Sequence, residues 1–191
     1  MTRPVAFLCL LFVNLGSVVL AQTTNCCPPV PQTRLEAFDT NTDTIVLRAT
    51  VDIGTVTTGG GTLSVKCRSI TDVNTGRREL GLVLETSQAV VPEQIAFIDL
   101  EEIDSLRNAL EYLGKLDWTV TDLPSFDAAF TSKGGFRVVA YGSRRRGGIE
   151  YAVRNIRFSP IPLRLTRDQI AQFRGFLDQA KAKLDTIQKG Q

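Results

Sequence analysis

TRDQIAQFRGFL, residues Thr166–Leu177, is the stretch that decides the fold. Thr166 stands where a helix N-cap belongs, and Gln169 follows three residues later, the spacing of a capping box. Ile170, Phe173, Leu177, Ala180, Leu184 and Ile187 then recur at helical spacing and form one apolar stripe. DLEEIDSLRNAL, residues Asp99–Leu110, has the same shape. Asp99 is the expected cap, Glu102 lies three residues on, and Ile103, Leu106, Leu110 and Leu113 form the stripe. Ile103, Leu106, Arg107 and Leu110 match Ile170, Phe173, Arg174 and Leu177 at one constant offset. An internal repeat is the simplest reading.

Strand-like runs precede each helix. In the first half they are Thr44–Ile53, Thr62–Ile70, Arg78–Thr86 and Gln94–Ile98; in the second, Phe126–Thr131, Phe136–Gly142, Ile149–Phe158 and Ile161–Leu165. Both halves place a glycine pair before the second strand, Gly60-Gly61 and Gly134-Gly135. Both join the second and third strands through a polar or glycine-rich turn, Asn74-Thr75-Gly76 and Arg144 to Gly148. The expected class is α+β: two tandem ββββα units, 43–117 and 125–188, within one domain spanning 43–191. Units of about 60–70 residues are marginal alone. The antiparallel sheets and the two amphipathic helices are therefore expected to share one core as a pseudo-twofold pair.

Two successive units of four antiparallel strands and a helix resemble the Whirly and PUR-type folds, which bind single-stranded nucleic acid. Gly135–Asp185 carries the likeness best, with curved strands, a basic turn and a Thr-capped amphipathic helix. The pattern of helix and Lys-Gly-Gly is also similar to that of a broad group of exported bacterial proteins, which implies no activity.

At the N-terminus, Arg3, the apolar run Val5–Val13 and the small residues of Val19-Leu20-Ala21 read as a signal peptide over residues 1–21. The expected location is outside the cytoplasm, periplasmic or extracellular, which argues against a nucleic-acid role inside the cell. Residues 22–42, with Pro28, Pro29 and Pro31, read as an extended tether, so that folded structure is expected from about Asp43. Cys26, Cys27 and Cys67 remain after cleavage. Cys67 alternates with Leu63 and Val65 and reads as a buried thiol, or as one end of a bridge to Cys26 or Cys27. The adjacent pair also offers a homodimer through Cys26 or Cys27.

The chain contains no histidine, which excludes Ser–His–acid triads, Cys–His pairs and the commonest zinc sites. Its net charge says little, but the layout says more. Leu35–Ser132 holds 7 basic and 16 acidic residues, net −9, whereas Lys133–Arg174 holds 10 basic and 2 acidic residues, net +8. Arg137, Arg144, Arg145, Arg146, Arg154 and Arg164, with Tyr141 or Tyr151 as a stacking ring, are the candidate anion-binding residues. The alternatives are a solvated face and charge complementarity between the two units.

Other patterns read more plainly. Asp39-Thr-Asn41-Thr-Asp43 begins like a calcium loop, but Thr44 and Thr50 stand where Gly and Glu are needed, so it reads as a polar entry loop. Glu101, Glu102 and Asp104 suit the first turn of a helix. Ser132-Lys133-Gly134-Gly135 reads as a hairpin turn, and Trp118 as a residue closing the core between units. No catalytic residue, metal ligand or cofactor is assigned. The expected function is an exported, non-catalytic binding or interaction module for an unknown protein or envelope partner. The alternatives are a binder of an anionic polymer (nucleic acid, sulfated glycan or acidic lipid) and a carboxylate-based hydrolase.

Overall fold

The computed structural model describes residues 30–159 and 161–190. Residues 1–21, where a signal peptide is expected, and Cys26 and Cys27 lie outside the described residues. The chain folds as two four-stranded antiparallel sheets and three helices. After α1 (Arg34–Asp39) come β1 (Val46–Thr58), β2 (Gly61–Asp72), β3 (Arg78–Gln88) and β4 (Val91–Asp99), then a short 3-10 turn and α2 (Ile103–Lys115). The second unit repeats the order with β5 (Ser125–Thr131), β6 (Phe136–Ser143), β7 (Gly148–Asn155), β8 (Leu163–Leu165) and α3 (Arg167–Lys189). Each sheet is a plain meander, β1-β2-β3-β4 in sheet 1 and β5-β6-β7-β8 in sheet 2. The α+β class and the two ββββα units are as the sequence indicates.

The strand ends differ from the sequence expectation for local reasons. β7 stops at Asn155, whose side-chain Oδ1 accepts from the Arg157 amide at 3.0 Å and turns the chain. β8 shortens to three residues. Ser159 Oγ captures the Ile161 amide at 3.0 Å, and Pro162 has no amide to give to a ladder.

The helices tie the units together. α3 packs on β1, β2 and β3 as well as on β7, while α2 packs on β5, β6 and α3. Each helix therefore covers the sheet of the opposite unit. The resulting core is continuous, with Leu63, Val65, Leu82, Leu84, Phe136, Val138, Val153, Phe173 and Leu177 in a single buried cluster. Phe136 and Phe173 meet edge to face at 5.9 Å.

Two ion pairs expose the pseudo-twofold relation. Arg107 Nε donates to Asp178 at 2.6 Å, and Arg174 donates to Glu111 at 2.9 Å. Moving Arg107 and Glu111 along the chain by 67 residues gives Arg174 and Asp178. The pairs are thus the same contact made twice, as a self-complementary interface requires. At the helix starts, Thr166 and Gln169 form the complete capping box.

Asp99 does something else. Its carboxylate accepts the amides of Arg34 at 3.1 Å and Leu35 at 3.0 Å, and so it binds the start of α1 rather than that of α2. The tether expectation needs correcting with it: residues 33–40 are folded, not extended. Thr33 caps α1, Leu35 is fully buried, and Ile70 and Val83 on the same outer face of sheet 1 are fully buried too. Glu36 reaches the second unit, where Arg157 contacts both its carboxylate oxygens at 2.8 Å. Arg157 also donates to the Val30 carbonyl at 3.2 Å. The segment before Asp43 is therefore a clasp between the units. The turn Ser132–Gly135 is the expected hairpin. A side chain at Gly134 would come within 2.2 Å of the Phe97 carbonyl, so only glycine lets this turn lie against β4.

Candidate anion-binding face

In sheet 2 the register sorts the candidate residues. Phe136, Val138 and Ala140 on β6 and Tyr151 and Val153 on β7 point toward the helices and are buried. The intervening residues point the other way. Arg137 stands opposite Arg154 and Thr131, Val139 opposite Ala152 and Ala129, and Tyr141 opposite Glu150 and Asp127. Arg164 on β8 is opposite Ala152. Arg137, Tyr141, Arg154 and Arg164 therefore share the face turned away from the helices. Asp127, Ala129, Thr131, Tyr141 and Arg164 on it are exposed.

Two like charges directly opposite on neighbouring strands disfavour the pairing, and Arg137 and Arg154 hold that relation. Arg137 is half-buried, and its Nε finds no hydrogen-bond partner among the described residues. Two carboxylates share the face. Glu150 is bonded to Arg164, and Asp127 is exposed beside Tyr141. Four candidate residues, three of them cationic, are thus gathered on one sheet face, around the buried Val139 and Ala152.

The basic turn divides. Arg145 and Arg146 are exposed at the end of β6. Arg144 is turned away from them: it donates to the carbonyls of Thr121 at 3.0 Å, Trp118 at 3.3 Å and Leu123 at 3.4 Å. Its guanidinium also lies 5.3 Å from the Trp118 ring centre. Arg144 is a staple for the loop after α2 and is removed from the anion-binding set. Trp118 is half-buried, meets Phe126 edge to face at 5.5 Å, and supports this loop rather than closing the core between units.

Cys67 is a free, buried thiol on the inner face of sheet 1, with its sulfur 3.5 Å from the Ala180 carbonyl of α3. Burial pushes it up to about 11. In the calcium-like stretch, Asp39 accepts from Arg48 at 2.6 Å and lies 3.7 Å from Arg68, so its carboxylate is held by cations. Glu102 is buried against the hairpin and accepts the Lys133 amide at 2.9 Å.

Two features escaped the sequence reading. Glu150 belongs to the basic face, which the strict alternation of β7 with β6 would have revealed. The Glu36–Arg157 pair, with partners 121 residues apart, left no signal in the sequence.

No family model and no curated protein matches the chain. Two solved structures are similar to it. One is the plant transcriptional regulator PBF-2, at 15% identity and a TM-score of 0.34, covering 76% of this chain and 86% of that one. The other is WHY1 from Arabidopsis thaliana, at 15% identity and a TM-score of 0.33, covering 73% and 85%. Both are Whirly-family proteins, and this chain resembles them weakly, in topology.

Proposed function

We propose that the protein is a non-catalytic module that binds a flexible polyanion across the outer face of sheet 2. The observation that carries this reading is the placement of Arg137, Arg154, Arg164 and Tyr141 on one sheet face, where Arg164 and Tyr141 are exposed and Arg137 and Arg154 half-buried, with exposed Arg146 at its end. Guanidinium groups match sulfate, phosphate and carboxylate oxygens in geometry and charge. The face spans several strands and suits an extended chain better than a single small ion. Export is part of the proposal and rests on the leader sequence Arg3–Ala21.

The test is fluorescence anisotropy with a labelled single-stranded oligonucleotide, a labelled sulfated oligosaccharide and vesicles of an acidic lipid. With about four charges neutralised, affinity for a single-stranded chain is expected to fall roughly 30- to 100-fold between about 50 and 200 mM salt. Replacing Arg137, Arg146 and Arg164 with Ser removes binding, with the urea midpoint retained as a folding control. Unchanged affinity in that variant, or no binding to any of the three, refutes the reading.

A further inference from the structure

We propose that the β6–β7–β8 end of this face holds a subsite for one residue of an acidic saccharide, a sugar carrying sulfate or carboxylate. The inference rests on the polyanion reading and names the chemistry of the chain bound. A cavity of about 270 Å³ opens there, lined by Tyr141, Arg146, Glu150, Tyr151, Ala152, Pro162 and Arg164. Pockets that enclose a whole drug-sized ligand run to about 300–1,000 Å³, so this one suits a single ring.

The carboxylate decides the ligand class. Glu150 lies directly across the strand pair from Tyr141 and is bonded to Arg164. A chain bearing only acidic groups would meet Glu150 as a repulsion. A sugar bearing an acid group and free hydroxyls satisfies both signs. Its sulfate or carboxylate takes the Arg146 and Arg164 guanidiniums, and its hydroxyls donate to Glu150. Tyr141, 44% exposed, offers a ring face to the C–H side of the sugar, over a floor of Ala152 and Pro162.

Nucleic acid fits less well. Sequence-tolerant single-strand binding stacks successive bases on a row of aromatic rings. Among the described residues Tyr141 is the only exposed aromatic residue on this face, because Tyr151, although it borders the cavity, points inward and is 2% exposed.

The experiment compares a sulfated oligosaccharide, a polyphosphate of equal charge and a single-stranded oligonucleotide at one ionic strength, by anisotropy on the full chain. The saccharide is expected to bind at least tenfold tighter than the polyphosphate. In Glu150→Ala the ratio of the two affinities falls toward one, because the hydroxyl acceptor is lost while Arg164 is released to any anion. Asp127→Asn on the same face raises both affinities together and leaves the ratio intact. Equal affinities in the unaltered protein, an unchanged ratio in Glu150→Ala, or preference for the oligonucleotide overturns the saccharide subsite and leaves the polyanion face standing. Failure to bind any of the three overturns both.

Discussion

Arg144→Ala separates a structural arginine from its ligand-facing neighbours. Three carbonyls accept from Arg144, one at 3.0 Å and two at 3.3 and 3.4 Å, and its guanidinium stacks on Trp118. The residue is exposed, so the freed carbonyls regain water and each bond counts at the low end, about 0.5 kcal/mol. The exposed cation–ring contact adds about 0.5 kcal/mol. The expected loss is about 1–2 kcal/mol. With a urea slope of about 2 kcal/mol/M, the midpoint moves down by about 0.5–1 M. Trp118 is the only tryptophan, so its fluorescence reports the loop and the global transition in one titration. Arg146→Ala has no such bonds to lose among the described residues and is expected to leave the midpoint within about 0.2 M while weakening polyanion binding. The reasoning fails if Arg144→Ala leaves the midpoint unchanged, or if it weakens binding as much as Arg146→Ala with stability intact.

Three further outcomes follow from the packing. Leu35→Ala empties a fully buried site between α1 and sheet 1 and is expected to cost about 2–5 kcal/mol in urea unfolding; a cost below about 0.5 kcal/mol would mean that the N-terminal clasp does not hold in solution. Gly54→Ala places a methyl group 2.4 Å from the Phe176 ring and is expected to destabilise by about 1–3 kcal/mol. Adding Phe176→Ala should relieve that strain, so strictly additive losses in the double variant count against the contact. The Cys67 thiol keeps its proton in the folded protein to about pH 11, against 9.0 for the ordinary value. The unfolded chain therefore loses that proton first, and the contribution, complete below pH 9, declines as pH rises toward 11. Cys67→Ala should flatten the fall in stability over that window, and native Cys67 should resist an aqueous thiol reagent at pH 8 until urea unfolds the protein.

Periodicity alone determined much of this architecture. Thr166 and Gln169 specify a helix start through bonds that span three residues, and the stripes of α2 and α3 are visible because helical spacing returns every few positions. The alternation along β6 and β7 likewise separates Arg137 and Tyr141 from Phe136, Val138 and Ala140 by local spacing alone. What only the tertiary structure decided involves partners far apart in the chain. Asp99 has the sequence neighbourhood of a cap for α2, yet its carboxylate is taken by amides 64 and 65 residues away. Glu36 finds Arg157, and a segment that reads as tether becomes a helix because Leu35 has a sheet face to bury against. Arg144, Arg145 and Arg146 are identical as letters. Arg144 alone meets three carbonyls and an indole ring, and this distinction depends on where the chain folds back, which local spacing does not encode.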